Sequence, residues 1–253
     1  MFFSYDHLTF RYEPFPIGLA KPLMDRETYR SFVQEYPPPE LFQSYHDLGK
    51  PGNKYTLSER ENPRAYRDFV RSNPLWREFN RWIESNEFIY GVFELLRQHY
   101  IDLGYRSQSG LQQFRRAVKA LSRGRLPSGR QAFSSRFEFS ALPADGGAVV
   151  PHTDAPRKIV TFVVSILNEG EWNPAFGGGT DVNRPTSLRL CYNDMNRLAD
   201  FEEMEVLHTY EFTPNQAVIF VKTFNSWHSV RPMTGKGSNA LRRTLTINIE
   251  KTS

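Results

Sequence analysis

The sequence predicts an α+β protein whose first half is mostly helical and whose second half is mostly β. Apolar side chains recur at helical spacing between Leu75 and about Leu103. From Phe137 onward, short β-branched and aromatic runs are separated by turns rich in Gly, Pro, Asn and Asp. Many short strands of this kind are typical of a β-sandwich or barrel with helices packed on its outside. We therefore expect an N-terminal supporting region at 1–134 and a β core at 135–253, within one globular unit.

The first sixty residues are expected to hold short strands, one helix and a loop. Residues 1–24 alternate loosely between apolar and polar side chains, which indicates one or two short strands. The stretch at 25–36, DRETYRSFVQEY, predicts a helix that Asp25 can cap, and the prolines at 37–39 end it. Residues 40–63 are polar and have no clear period, so we expect a surface loop there.

A long helical segment follows this loop. Asn73 offers a helix cap, and Pro74 suits the first helical position. The apolar spacing that begins at Leu75 predicts a helix that Ser85-Asn86 can divide in two and that Gly104 ends.

Six runs in the second half have the composition of strands. Each is short, rich in β-branched or aromatic residues, and bounded by turn residues. The runs are FEFSAL (137–142), KIVTFVVSIL (158–167), SLRLCY (187–192), EVLHTYEF (205–212), QAVIFVK (216–222) and TLTINI (244–249).

The composition limits the classes of protein to consider. The 253 residues are 39% hydrophobic and 24% charged, which is ordinary for a globular protein, and the net charge of +4 is too small to indicate a nucleic-acid binder. The single cysteine, Cys191, excludes a disulfide within the chain and a cysteine-based zinc site. The sequence has no run of about 18 apolar residues, and Asp6 and Arg11 interrupt any signal-peptide core. We expect a cytoplasmic protein.

The stretch VVPHTDAPRK predicts a metal site. His152 and Asp154 stand two residues apart before an apolar strand, and residues i and i+2 of an extended chain point to the same side. His228 follows the strand QAVIFVK and can supply a third ligand. Two histidines and one carboxylate on one face of a metal leave three positions open, as in non-haem Fe(II) oxygenases. The alternative for the pair by itself is a buried histidine hydrogen-bonded to an aspartate.

The last strand, LRRTLTINIE, predicts an anion site beside the metal. Its even positions are polar and its odd positions after Arg243 are apolar, so one side faces the helices and the other faces the barrel lumen. Arg242 would then enter the cavity, which is costly unless it meets an anion such as a carboxylate. Thr246, on the same side, can support that carboxylate. The alternatives are a surface salt bridge for Arg242, and Arg243 as the anchor.

With these residues in place, the region from about 135 to 251 resembles the catalytic core of the Fe(II)/2-oxoglutarate-dependent oxygenases, especially the branch similar to prolyl hydroxylases. The matching segments stand in the family's order. They are FEFSALPADGGAVVPHTD, KIVTFVVSILNEGEW, FGGGTDV, VIFVKTFNSWHSVRP and LRRTLTINI. The resemblance implies a double-stranded β-helix, or jelly-roll, with the N-terminal helices packed against it.

The resemblance also implies a reaction. His152, Asp154 and His228 would bind Fe(II), and Arg242, helped by Thr246, would hold the distal carboxylate of 2-oxoglutarate. The expected activity is a dioxygenase that hydroxylates an unactivated C–H bond and releases succinate and CO2, with ascorbate as a supporting reductant. Because Asp154 is retained, the resemblance indicates hydroxylation or desaturation and not halogenation. The interval between His228 and Arg242 is longer than in prolyl hydroxylases, which keeps Arg243 in consideration.

The substrate and partners stay open at this stage. A peptidyl proline, a free amino acid, a saccharide or a nucleotide would all be compatible, and segment 40–63 can shape the entrance to the site. Lys158 can reach an acidic substrate or simply lie at the surface. The oligomeric state is not predicted.

Two other functions compete with the oxygenase. One is a catalytically silent binding module that recognises an anionic partner through the basic region 106–136. That region has no interleaved aromatic series, so nucleic acid is the least favoured partner. The other is a metal reaction of the cupin kind, which does not need an arginine in the lumen.

Overall fold

The computed structural model describes residues 2–50, 52–106 and 132–252. Within these ranges the chain forms four α-helices and twelve β-strands. The helices are α1 (Arg26–Gln34), α2 (Pro63–Ser72), α3 (Pro74–Ile83) and α4 (Asn86–Gln98). The strands are β1 (Thr9–Arg11), β2 (Ile17–Ala20), β3 (Gln43–Ser44), β4 (Tyr55–Ser58), β5 (Phe133–Pro143), β6 (Val149–His152), β7 (Lys158–Ser165), β8 (Thr180–Pro185), β9 (Met204–Tyr210), β10 (Ala217–Val221), β11 (His228–Val230) and β12 (Leu241–Lys251).

The strands form two antiparallel sheets. The large sheet has the order β1-β2-β10-β7-β12-β5-β4-β3, and the small sheet has the order β6-β11-β8-β9. Helices α2, α3 and α4 contact strands β4 and β5 of the large sheet. The predicted α+β class is confirmed. Because β1 to β4 belong to the N-terminal part, both parts of the chain contribute strands to the large sheet, and a boundary at 134/135 stays a prediction.

The main hydrophobic core lies between the large sheet and the helices. Trp76 and Phe79 of α3 pack there against Phe137 and Phe139 of β5, with ring centroids 4.6–5.9 Å apart. The odd positions of β12 enter the same core, as the alternation of that strand predicts. They are Leu245, Ile247 and Ile249, all fully buried.

The predicted helix starts are confirmed, whereas the end predicted at Gly104 is wrong because α4 already ends at Gln98. The Asp25 side chain accepts hydrogen bonds from the backbone N–H groups of Glu27 and Thr28, at the start of α1. The long helical segment is divided where expected, because α3 ends at Ile83 and Ser85 caps α4.

The expectation of a surface loop at 40–63 is wrong in part. Strand β4 extends the large sheet beside β5, and Leu57 is fully buried against the helices. Helix α2 then begins at Pro63, in a stretch to which the sequence analysis assigned no element. A four-residue strand of mixed polarity is too short to show a period of two, so only its pairing with β5 reveals it.

The strand predicted at 187–192 is also wrong. Residues Leu188–Leu190 form a short 3₁₀ turn, and both Leu188 and Tyr192 are exposed. The strand of this region is β8, which comes directly after the glycines at 177–179. The composition of this segment is that of a strand, but Leu188 and Tyr192 do not enter the core.

The basic region 106–136 lies mostly outside the described residues. Only its ends are described: Arg106 pairs with Asp102, and Arg136 pairs with Glu250. No described helix is long and apolar enough to cross a membrane.

Candidate metal centre

The two predicted histidine ligands come together because their strands are neighbours in the small sheet. Strands β6 and β11 pair antiparallel, and His228 lies directly opposite His152 in the register. The two imidazole rings have centroids 4.2 Å apart. Sheet pairing therefore places side chains from distant parts of the chain at one point.

Asp154 reaches the same point by a turn of the backbone. Strand β6 ends at His152, and Asp154 has a φ of +71° in the left-handed region. Its carboxylate oxygens lie 3.7 Å from Nε2 of His152 and 3.9 Å from Nε2 of His228. The predicted convergence is found, but the reason given for it is wrong, since the alternation of an extended strand does not continue to Asp154.

Both imidazoles are oriented for metal binding. Nδ1 of His152 lies 2.9 Å from the carbonyl oxygen of Val150, and Nδ1 of His228 lies 2.9 Å from that of Ser226. A carbonyl only accepts, so each Nδ1 carries the hydrogen and each Nε2 keeps a free lone pair. The ligand atoms of His152, Asp154 and His228 all lie within 4.8 Å of one another.

A metal ion fits this arrangement. Ligands on one face of an octahedral ion with bonds of about 2.1 Å stand roughly 3 Å apart, so the three side chains need to move by less than an ångström. Two nitrogens and one carboxylate would leave three coordination positions free.

The carboxylate of Asp154 is itself held by a network. Lys158 Nζ lies 2.6 Å from Oδ1, and Thr161 Oγ1 lies 3.0 Å from Oδ2. Thr161 Oγ1 is also 3.0 Å from Oδ1 of Asn248 on β12. One hydroxyl hydrogen cannot serve two acceptors, so the Asn248 amide orientation that donates to Thr161 satisfies both contacts. Lys158, for which the sequence suggested an acidic substrate or a surface position, instead pairs with Asp154. The contacts of Thr161 and Asn248 are not predicted by the sequence.

The electrostatics keep all three ligands deprotonated near neutral pH. Burial, the largest cause, and the neighbouring His152 together lower the pKa of His228 to about 3, although Asp154 acts in the opposite direction. Burial also lowers the pKa of His152. For Asp154, burial raises the pKa, but the Lys158 ammonium and the two imidazoles outweigh it and hold the pKa well below its usual range. The site can therefore bind a cation without first losing protons.

The depressed pKa of His228 predicts acid sensitivity of the metal-free protein. A histidine in the unfolded chain has a pKa near 6.5. Below that pH, His228 is therefore protonated in the unfolded chain but stays neutral in the folded chain. Stability should fall with pH at a limiting slope of about 1.4 kcal/mol per unit for this group, or about 2 kcal/mol from pH 7 to pH 5. Urea unfolding of wild type and His228→Asn at both pH values measures this. Equal losses in the two proteins would contradict the assignment.

Arg242 is buried as predicted and lacks an anionic partner. Its side chain is 4% exposed, donates from Nε to the carbonyl oxygen of Gly178, and lies 4.8 Å from the Phe212 ring centroid. Among the described residues no carboxylate lies within ion-pair distance of it, although Asp181 acts on it from further away. Burial lowers the pKa of Arg242 to about 10, which leaves the guanidinium charged. A buried charge of this kind is costly unless a ligand neutralises it.

The backbone around Gly178 fits closely against Arg242. A Cβ atom at Gly178 would lie 3.3 Å from Cδ of Arg242 and 3.0 Å from Sδ of Met233. Gly178 also has a φ of +84°, which L side chains rarely adopt. The carbonyl that holds Arg242 therefore depends on glycine at this position.

Arg243 points to the other side of β12. Its guanidinium contacts both carboxylate oxygens of Glu171, at 2.6 and 2.7 Å. Thr246 lies on the Arg242 side of the strand by alternation and is half-buried. Of the two arginines, only Arg242 is both buried and without a carboxylate, and the part assigned to Thr246 stays a prediction.

A cleft of about 890 Å³ opens onto His152 and Asp154. Residues between Tyr45 and Glu61 line it on one side, so segment 40–63 does shape the entrance. Within this wall Lys54 Nζ pairs with Glu138 at 3.0 Å. The cleft has a volume typical of a binding site for a drug-sized molecule.

Comparison with solved structures identifies the fold. The non-haem α-ketoglutarate-dependent epimerase SnoN from nogalamycin biosynthesis matches with a TM-score of 0.50 at 11% identity, over 93% of this chain and 78% of that one. This likeness confirms, at the level of the fold, the resemblance seen in the sequence motifs.

Two further matches have lower TM-scores. A prolyl-4-hydroxylase from Pseudomonas putida has a TM-score of 0.32 at 19% identity, over 58% of this chain and 68% of that one. An oxidoreductase of the 2OG-Fe(II) oxygenase family from Burkholderia pseudomallei has a TM-score of 0.40 at 12% identity, over 90% and 80%. No protein-family model and no curated protein matches the sequence.

Proposed function

We propose that this chain is an Fe(II)- and 2-oxoglutarate-dependent dioxygenase with a double-stranded β-helix core. It hydroxylates an unactivated C–H bond of its substrate, with succinate and CO2 as co-products. The observation that carries the proposal is the convergence of His152, Asp154 and His228, with both imidazole Nε2 atoms free, in a chain that also buries an unpaired Arg242.

The three ligands would hold Fe(II), which supplies the activation of O2 and the oxidation of carbon. The protein keeps the site in the state that binds the ion. Backbone carbonyls fix the tautomer of His152 and His228, and Lys158 and Thr161 fix the carboxylate of Asp154. Such contacts set ligand orientation before the metal arrives.

Arg242 would hold the distal carboxylate of 2-oxoglutarate. A guanidinium forms two parallel charge-assisted hydrogen bonds with a carboxylate, and Arg242 has guanidinium nitrogens to spare because only Nε is engaged, with Gly178. Thr246 would add a hydroxyl to the same group. The buried charge is then neutralised by the co-substrate and not by the protein.

The three ligands differ in whether they line the cleft. His228 is buried against the ring of Phe220, with centroids 4.2 Å apart. His152 and Asp154 face the cleft. The substrate would therefore approach from the side of His152 and Asp154, while Phe220 keeps water from the other side.

The competing function, a silent module that binds through 106–136, has less support. It requires neither oriented imidazoles nor a buried, unpaired arginine, and a buried charge without a partner is costly for a fold to keep. A cytoplasmic location and support by ascorbate belong to the oxygenase proposal as expectations.

Anaerobic addition of Fe(II) and then 2-oxoglutarate to the metal-free protein tests the proposal. We expect a visible metal-to-ligand charge-transfer band, since 2-oxoglutarate chelates through its 2-oxo acid group, and we expect succinate to form when air is admitted. Succinate added in place of 2-oxoglutarate is the control and should give no band. A folded wild-type protein that shows neither band nor succinate would overturn the proposal.

A further inference from the structure

Large exposed apolar side chains are concentrated in and around the segment 188–198. Eleven large hydrophobic side chains are exposed in the described part of the chain, and six of them come from Val150, from the segment 188–198 and from Phe224. Tyr192 and Phe224 stack on each other, with ring centroids 5.2 Å apart and planes at 18°. We name as the apolar rim Val150 (40% exposed), Tyr192 (70%), Met195 (72%), Leu198 (57%) and Phe224 (48%).

The segment that carries the rim is tied to the strands of the metal ligands. Thr153, between ligands His152 and Asp154, donates from Oγ1 to the carbonyl oxygen of Asn193 at 2.7 Å and from its backbone N–H to Asn196 at 3.2 Å. These contacts fix the segment at the edge of the metal centre, although its side chains are exposed.

Two further contacts secure the same segment on either side. The backbone N–H of Ala199 donates to the carbonyl oxygen of Pro151 at 3.1 Å. The Trp227 indole, next to ligand His228, donates to the carbonyl oxygen of Leu190 at 3.0 Å. The rim is therefore held in a fixed position relative to all three ligands.

The apolar rim meets the cleft at two of its residues. Val150 and Leu198 belong to the rim and also line the cleft, together with His152 and Asp154. A molecule that fills the cleft therefore covers Val150 and Leu198. A flat protein surface bound to the rim would leave the cleft empty.

The charges of the cleft give no preference for an anion. Its lining contains five basic and five acidic side chains, so they cancel. Several already pair with each other, including Lys54 with Glu138 and Lys50 with Glu61. Because these charges are paired with each other, the feature of the site that can recognise a ligand is its apolar surface.

We propose that the substrate of this site is a small molecule with an extended apolar skeleton, either fused rings or an acyl chain. The skeleton lies on the apolar rim while one of its carbons points into the cleft toward the metal centre. That this molecule is oxidised rests on the proposed function, but its binding does not. Proline and unsubstituted saccharides such as glucose offer too little apolar area to cover the rim.

Fluorescence of 8-anilino-1-naphthalenesulfonate with the metal-free protein tests the binding. The double variant Tyr192→Ser/Leu198→Ser should bind the dye about tenfold more weakly than wild type, because both side chains offer apolar area to it. Tyr100→Ser/Leu207→Ser is the matched control, since it removes an exposed tyrosine and an exposed leucine outside the rim. The control should bind as wild type does.

Competition for the dye site identifies the ligand class. Anthraquinone-2-sulfonate represents fused rings and dodecanoate represents acyl chains; at least one should displace the dye from wild type, and L-proline and glucose should not. Equal dye affinity in rim variant and control, or displacement by L-proline, would overturn the proposal. So would a wild-type dimer that becomes monomeric in the rim variant, because a second copy would then cover the rim. If dye competition succeeds while the charge-transfer band is absent, the proposed function fails and the apolar site stands.

Discussion

Replacing His228 by alanine is expected to abolish Fe(II) binding and to reduce succinate formation by on the order of 10³-fold or more. Loss of outer-shell partners already costs 10- to 100-fold in metal sites, and His228 would supply one of only three protein ligands. Equilibrium dialysis with Fe(II) under anaerobic conditions measures the affinity, and succinate formation from 2-oxoglutarate measures the turnover. His152→Ala and Asp154→Ala should behave in the same way.

His7→Ala is the matched control for these variants because His7 is exposed and far from the site in the sequence. It should keep wild-type metal affinity and turnover. Circular dichroism at pH 7.5 will show whether the ligand variants keep their fold, as expected for the two histidine variants because neither imidazole is charged there when no metal is bound. An unchanged Fe(II) affinity in folded His228→Ala would contradict the assignment of this ligand.

Replacing Arg242 by methionine should weaken 2-oxoglutarate binding by about 100-fold, with Fe(II) affinity unchanged. The change removes two charge-assisted hydrogen bonds, together worth roughly 3 kcal/mol. Titration of the charge-transfer band with 2-oxoglutarate measures the affinity. The metal-free variant should be at least as stable as wild type, because methionine next to Phe212 and Met233 replaces a buried charge that has no partner.

Arg243→Met is the control for this prediction. It removes a partly exposed ion pair with Glu171 on the opposite side of β12, so 2-oxoglutarate affinity should change by less than about threefold. If Arg243→Met instead caused the 100-fold loss of 2-oxoglutarate affinity, Arg243 would be the anchor of the co-substrate. The buried position of Arg242 would then have another purpose.

The parts of this site that the sequence predicts are those set by a local period or by residue type. The alternation of β12 puts Arg242 on one side and Leu245 and Ile247 on the other, and the structure confirms it. The sequence also shows directly that a histidine stands two residues before an aspartate and that another histidine follows a later strand. Their convergence depends on the pairing of β6 with β11, which no local pattern specifies.

The parts that the sequence does not predict depend on long-range contacts. Strand β4 exists because β5 offers a partner, and Asp154 leaves the extended conformation because the chain turns before β7. The segment 187–192 has the composition of a strand yet lies at the surface, where its backbone contacts Trp227. Leu188 and Tyr192 are exposed, and Leu190 is half-buried against the small cluster that contains Trp227. Composition reports how apolar a segment is, but not whether it faces the core or a ligand.

The most direct measurement is a crystal structure of the protein grown anaerobically with Fe(II) and 2-oxoglutarate. We expect one iron bound by Nε2 of His152, Nε2 of His228 and a carboxylate oxygen of Asp154, with the far carboxylate of 2-oxoglutarate on Arg242. Iron bound elsewhere, or a co-substrate whose far carboxylate avoids Arg242, would contradict it.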